Sequence, residues 1–190
     1  MNKIPFAREI AGEQVILSAP LATPDHAAEM FELLRCNGYF YPWRFSLSSC
    51  TSPEAAFALI EKRVAAIEAM ADAYYDIYSD GRYVGEIYAR DIEYDGGIVG
   101  NLGYFVDKDF QGRGVAGEAV GLLSDHLFDR GAHRINLFCH FFGDLVNVAS
   151  EAVAKKCGYR FEGTAREAIW DPIGKRYADE HRFAKLSNER

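Results

Sequence analysis

Residues 111 to 117 read Gln111-Gly112-Arg113-Gly114-Val115-Ala116-Gly117. The segment follows a predicted strand, Ile98 to Val106, and a predicted loop, Asp107 to Arg113; it opens a predicted helix from about Gly114 to Arg130. Such a junction turns backbone N–H groups outward at the positive end of a helix dipole, and glycines let a ligand approach the backbone. Its chemistry is anion binding, against the competing reading of a turn built from small residues for close packing. Gly112 to Gly117 also spells the GxGxxG dinucleotide fingerprint, but the rest of that site is missing. The strand ends about five residues too early, and the next strand closes on Leu137-Phe138-Cys139-His140 without a carboxylate, Asp144 lying beyond it. No Gly-Lys-Ser/Thr follows, which excludes a P-loop.

The same letters fit Gln-x-x-Gly-x-Ala better, as Gln111, Gly114 and Ala116. Leu102-Gly103-Tyr104-Phe105-Val106 precedes them and Gly117-Glu118-Ala119 continues them. Further on come Asn147-x-x-Ser150, then Lys156-Cys157-Gly158-Tyr159, then Glu162-Gly163. Together these resemble the GNAT superfamily of N-acetyltransferases, and within it the branch that acetylates the N-termini of bacterial ribosomal proteins. The strong part of the match covers residues 98–186; the first half agrees in element order only.

The resemblance implies acetyl-CoA as cosubstrate and no metal. Backbone amides of Gln111, Gly112, Arg113, Gly114, Val115 and Ala116 would hold its pyrophosphate, with Arg113 adding charge. Phe105 and Val106, on strand 102–106, would run beside the pantetheine arm. Asn147 would contact the pantetheine region, and Lys156, with Lys155, would approach the adenosine phosphates unless they form a solvated helix face. Transfer in such enzymes is direct: a neutral amine attacks the thioester carbonyl, a backbone N–H faces the oxyanion, and the thiolate leaves with a proton. Many family members donate that proton from a Tyr seven residues after the Asn, where this chain has Ala154. Ser150 is the substitute that the ribosomal-protein branch uses.

Two carboxylates compete for the role of base. Glu86 lies on a predicted strand beside the central one. The branch places a Glu nineteen residues after the Ser, which here is Ile169; Glu167 is two residues short, on the same strand face if alternation holds. Weak base candidates suit an α-amine, pKa about 8, whose deprotonation at pH 7 costs about 1 kcal/mol, better than a lysine, which costs about 4.6. The acceptor expected is therefore a protein or peptide N-terminus. A small-molecule amine (antibiotic, polyamine or amino acid) and a non-catalytic acyl-CoA sensor stay open beside it.

The elements that must position these groups read β-α-α-β-β-β-α-β-α-β-β. A strand at Val15-Ile16-Leu17 leads to a helix opened by Thr23-Pro24-Asp25 and running to about Arg35. Thr51-Ser52-Pro53-Glu54 opens a second helix with an apolar stripe at Phe57, Ile60, Val64 and Ile67. Strands at 74–79 and 83–94 flank Asp80-Gly81-Arg82, a hairpin signal. A strand at 134–141, a helix at 147–157 stopped by Gly158, and a pair at 159–169 and 176–185 complete the chain. The pattern alone indicates α+β or α/β, one sheet with helices packed on it. The resemblance sharpens this to α+β: the GNAT fold, a mixed, mainly antiparallel central sheet flanked by helices. Tyr39, Phe40, Tyr41, Trp43 and Phe45 would form an acceptor-side wall, or pack in the core.

At 190 residues, 49% apolar and 14% aromatic, the chain has material for one domain, 1–190, and is not disordered. The expected division is an acceptor side to about residue 95 and an acetyl-CoA side beyond it. Net charge is −7, all of it in the first half: residues 1–95 hold 8 basic and 15 acidic side chains, residues 96–190 hold 13 of each. That balance argues against nucleic acid as a partner. No run is long enough to span a bilayer and no signal peptide is evident, so a cytoplasmic monomer or homodimer, apart from membranes, is expected. Cys36, Cys50, Cys139 and Cys157 show no CxxC spacing, and His133, His140 and His181 are scattered; neither disulfide nor metal is expected.

Overall fold

Side-chain caps open three of the four α-helices among the described residues. Thr23 accepts from His26 N at 3.2 Å ahead of α1 (Pro24–Asn37), and Ser52 accepts from Ala55 N at 3.2 Å ahead of α2 (Pro53–Glu68), each with Pro at the first turn. Asn147 caps α4 (Val148–Lys156) through Ser150 N at 3.1 Å. The remaining helix, α3 (Val115–Asp129), has Gly114 at its cap. The computed structural model describes residues 1, 5–38, 50–142, 145–171 and 174–190. The aromatic series Tyr39 to Phe45 and the turn residues Pro172 and Ile173 lie outside them.

The strands are β1 (Glu9–Ala11), β2 (Val15–Ser18), β3 (Ala73–Ser79), β4 (Arg82–Glu93), β5 (Ile98–Val106), β6 (Arg134–Phe142), β7 (Leu145–Val146), β8 (Arg160–Asp171) and β9 (Arg176–Leu186). Eight run in the order β1-β2-β3-β4-β5-β6-β9-β8, with β7 paired to the end of β6. The expected order holds, with β1 and β7 added; at three and two residues they are too short to show alternation. Asp80 (φ 51°) and Gly81 (φ 70°) both take the positive φ that a tight β3–β4 hairpin requires. Helix α1 runs two residues past its expected end because Asn37 is buried and bonded at both ends of its amide. Its Nδ2 donates to Leu33 O at 2.8 Å, and its Oδ1 accepts from Lys108 N at 2.9 Å.

Every neighbouring pair is antiparallel except β5 and β6, which the α3 crossover joins in parallel. Their pairing runs from Ile98↔Arg134 to Leu102↔Leu137 and goes no further among the described residues. Both strands nevertheless continue: β5 stays paired with β4 to Val106, and β6 with β9 to His140. The sheet therefore opens between Gly103–Val106 on one side and Phe138–His140 on the other.

One core fills the face under α3 and α4, where Leu17, Ile77, Ile87, Leu102, Leu123, Leu127 and Ile135 are fully buried. A smaller one, Ala27, Met30, Ala56 and Ile60, lies under α1 and α2. Each such Leu or Ile contributes about 1.5–3 kcal/mol of transfer free energy. Tyr159, expected to begin the last hairpin, is instead buried after α4 with its hydroxyl 2.7 Å from Ser124 Oγ.

Candidate active site

Glycine at the cap leaves the start of α3 chemically unlike the other helix starts. Gly114 has φ 89° and supplies no side-chain cap, and the first backbone bond of the helix is Glu118 N to Gly114 O at 3.0 Å. The N–H groups of the turn before it have no partner within the helix. Gly112 (φ 72°) also holds a left-handed conformation that other residues reach only at a cost of about 1–2 kcal/mol. A Cβ at Gly112 or Gly117 would meet nothing within 4 Å. The cradle is braced from behind. Gln111 Nε2 donates to Val106 O at 3.4 Å, Arg113 lies over the Phe110 ring at 5.0 Å, and Glu118 accepts from Gln14 N at 3.0 Å. Cys157, just past α4, donates its thiol to Gly117 O at 3.2 Å, which brings the exposed Lys156 to the side of this helix start.

Ser150 stands at the opening between β5 and β6. Its Oγ accepts from the Tyr104 hydroxyl at 3.1 Å and from the Cys139 thiol at 3.4 Å, one group from each parting strand. Burial pushes the Cys139 thiol up to about 11, so at neutral pH it keeps the proton it donates. A hydroxyl has two lone pairs and one proton. With both lone pairs engaged, the Ser150 proton is left to point toward a third partner. Ala154, seven residues after Asn147, is fully buried. A tyrosine hydroxyl reaches Ser150 from β5 instead, which sequence order did not reveal. Asn147, expected against pantetheine, spends its Oδ1 on capping α4.

Side chains alternate along a strand. Tyr104 and Cys139 point to α4, so Phe105, Phe138 and His140 face the α1/α2 side. Glu86, the Cα partner of Phe105, faces that way too and is only 4% exposed. Arg63 of α2 grips it through both guanidinium nitrogens, one at 3.0 Å, and Tyr83 donates to it at 3.4 Å. Burial pulls the Arg63 guanidinium down, but the Glu86 carboxylate outweighs it and the net shift is upward. Beside this pair, His26 Nε2 lies 3.0 Å from Asp76 Oδ2. Burial lowers the His26 imidazole, the Asp76 carboxylate overrides that, and the ring is raised above its ordinary value. On β6 and β9, His140 Nε2 lies 3.0 Å from Oε2 of Glu180.

Glu167 is exposed with φ 50°, on a bulge where β8 slips register between Ala165↔Glu180 and Ile169↔Ala178. Alternation fails across that stretch, so a two-residue shift does not preserve the face. Its backbone N–H donates to Asp179 at 2.9 Å. Thus Ser150 joins Tyr104 and Cys139, while Glu86 sits on the opposite face, committed to Arg63. No group of three or more His, Cys, Asp or Glu side chains that could hold a metal occurs among the described residues. No helix among them is long and apolar enough to cross a membrane. The four cysteines are free.

The profile of the Acetyltransferase (GNAT) domain family matches residues 15–160. No curated protein matches the sequence. Among solved structures, the chain is similar to the microcin C7 self-immunity acetyltransferase MccE in complex with acetyl-CoA and AMP, at TM-score 0.81 and 20% identity over 92% of this chain and 93% of that one. It is similar to RimL, a ribosomal L7/L12 alpha-N-protein acetyltransferase solved with coenzyme A, at TM-score 0.83 and 22% identity over 94% and 97%. A ribosomal-protein-S5-alanine acetyltransferase from Vibrio fischeri gives 0.79 and 17% over 95% and 97%. At these identities the likeness is one of fold.

Proposed function

The chain belongs to the GNAT acetyltransferase family, and from that premise we propose that it transfers the acetyl group of acetyl-CoA to a primary amine, the α-amine of a protein or peptide N-terminus. One observation carries the reading: the uncapped start of α3 lies beside α4, and α4 presents Ser150 at the opening of the sheet. Acetyl-CoA fits what is present. Backbone amides from Gln111 to Ala116 face its pyrophosphate, Gly112 and Gly117 leave the space a Cβ would fill, and Arg113 and Lys156 supply positive charge. Phe105 and Val106 line the β5 side of the opening and Asn147 the α4 side. Residues to about 95 form the acceptor side and the remainder the acetyl-CoA side.

Ser150 gives its proton to the leaving sulfur, and Tyr104, donating to Ser150, stabilises the oxygen left behind. Glu86, held by Arg63, remains a fixed carboxylate whose part is to hold α2 against β4. Glu167 is exposed on the β8 bulge, with its backbone N–H tied to Asp179. An α-amine asks less of any base than a lysine does, which favours an N-terminus. The solved relatives named for ribosomal-protein N-termini support the same acceptor class; the microcin-immunity relative makes a small-molecule amine the outcome to test against it.

A thiol-release screen decides. Free-N-terminus peptides opening with Ala or Ser, the same peptides blocked but carrying an internal Lys, and a panel of polyamines, aminoglycosides and amino acids are each offered with acetyl-CoA. Turnover on the free N-termini at least tenfold above the others is expected. Turnover confined to the small amines overturns the acceptor. Thermal stabilisation by NADH but not by CoA would overturn the cosubstrate.

A further inference from the structure

Beyond Leu137, β6 carries groups on both faces of the opening. Cys139 points to Ser150 and α4; His140, next along the strand, points to the α1/α2 face. Glu180 is its Cα partner on β9 and points the same way. It is 7% exposed, and each oxygen is engaged: Oε2 lies 3.0 Å from His140 Nε2, and Oε1 accepts from Arg182 Nε at 3.2 Å. Burial pushes the Glu180 carboxyl up, but His140 and Arg182 outweigh it and hold it below the usual carboxylate range. It is therefore an anion at neutral pH. A carboxylate at Nε2 keeps the imidazole proton on that nitrogen and leaves the lone pair on Nδ1. Nδ1 has no partner among the described residues, and the side chain is 36% exposed.

Ser150 and His140 thus flank one stretch of the opening from opposite faces, one β6 residue apart. The other charged or titratable groups described on this face include Arg182 of β9, Tyr88 and Arg90 of β4, Tyr74 of β3, Glu86 with its partners Arg63 and Tyr83, and the His26–Asp76 pair. Among them Glu86, Asp76 and His26 are buried in ion pairs, and a phenol is a far weaker base than an imidazole, whereas His140 offers an imidazole lone pair on a part-exposed side chain. The geometry points to His140 as the base that takes the proton of the acceptor amine, with Glu180 as its positioning residue. The assignment rests on the acetyl-transfer reading above. As the amine nitrogen bonds to the carbonyl carbon and the C–S bond breaks, the N–H proton passes to His140 Nδ1. The sulfur takes its proton from Ser150; His140 then gives its proton to solvent and the Ser150 oxygen regains one from solvent, so that both groups are restored and the net transfer is one proton from amine to thiol.

The amine that wild type acetylates fastest serves as the probe. His140→Gln is expected to lower kcat/KM by about 10²–10³-fold, and Glu180→Gln by about tenfold, with the Kd for CoA within twofold of wild type. The pH profile separates chemistry from packing. With amine and base both required deprotonated, log kcat/KM of wild type rises with a limiting slope of two on the acid side. In His140→Gln it rises with a slope of one, and added imidazole restores turnover to His140→Ala. A slope of two in His140→Gln, or kcat/KM within threefold of wild type, overturns the assignment. A wild-type protein inert toward every amine refutes the transferase reading itself, and is seen before any variant is made.

Discussion

Ser150 owes its proposed role to what surrounds it. A serine alone is a poor acid; one whose lone pairs accept from Tyr104 and Cys139 has its proton aimed and its developing alkoxide stabilised. Ser150→Ala should lower kcat by about 10²-fold, and Tyr104→Phe by about tenfold, with CoA affinity held. If Tyr104 acts through Ser150, the double variant is no slower than Ser150→Ala, whereas independent roles would multiply. Single-turnover acetylation in the four proteins measures this, and multiplying losses would remove Tyr104 from the relay. The residue scale is also where the sequence was least informative. Ser150 follows from the family resemblance that Asn147-x-x-Ser150 helps to carry, but Tyr104 lies 46 positions upstream, and the β5–α4 packing brings them together. Glu86 looked available because nothing in the letters shows Arg63 arriving from a helix 23 residues earlier.

Helix α3 shows how an element can be shaped by what it must admit. Among the described residues, the other three α-helices spend a Thr, Ser or Asn side chain on their first amides; α3 spends none. It also carries Gly117 in its first turn and Gly121 one turn on, and a Cβ at either would meet nothing within 4 Å. Glycine inside a helix costs about 0.5–1 kcal/mol relative to alanine, so each replacement should stabilise the fold by up to that amount. The two should part in binding. Gly117→Ala places a methyl in the open space proposed for the pyrophosphate and should weaken CoA at least tenfold while raising Tm. Gly121→Ala should raise Tm and leave CoA binding alone. Melting curves and calorimetric titration check both, and unchanged affinity in Gly117→Ala would move the anion away from this turn. Most elements were legible at this scale, because caps, the Asp80-Gly81 hairpin and apolar stripes act locally. What was not legible was register: the β8 bulge at Glu167 defeats any argument from alternation, and the end of β5–β6 pairing is a property of two strands joined through a helix.

Across the whole molecule, charge follows the proposed division of labour. The excess of −7 sits in residues 1–95, whereas residues 96–190, which carry the cradle, are neutral. Buried members of the acidic half are already answered, Glu86 by Arg63 and Asp76 by His26, so the uncompensated charge belongs to the surface. A surface field acts on approach and is screened within about 10 Å at 0.1 M salt. Raising NaCl from 0.02 to 0.5 M should therefore cut kcat/KM several-fold for a peptide acceptor with a Lys/Arg-rich tail. It should leave kcat at saturating acceptor almost unmoved. A peptide with the same first residues and an acidic tail should show the opposite slope, because screening relieves repulsion. Acetyl-CoA, itself anionic, is kept saturating in both series so that its own salt dependence does not enter. Parallel slopes for the two tails would mean that the acidic half merely keeps the protein soluble, and that acceptors are chosen at the opening of the sheet alone.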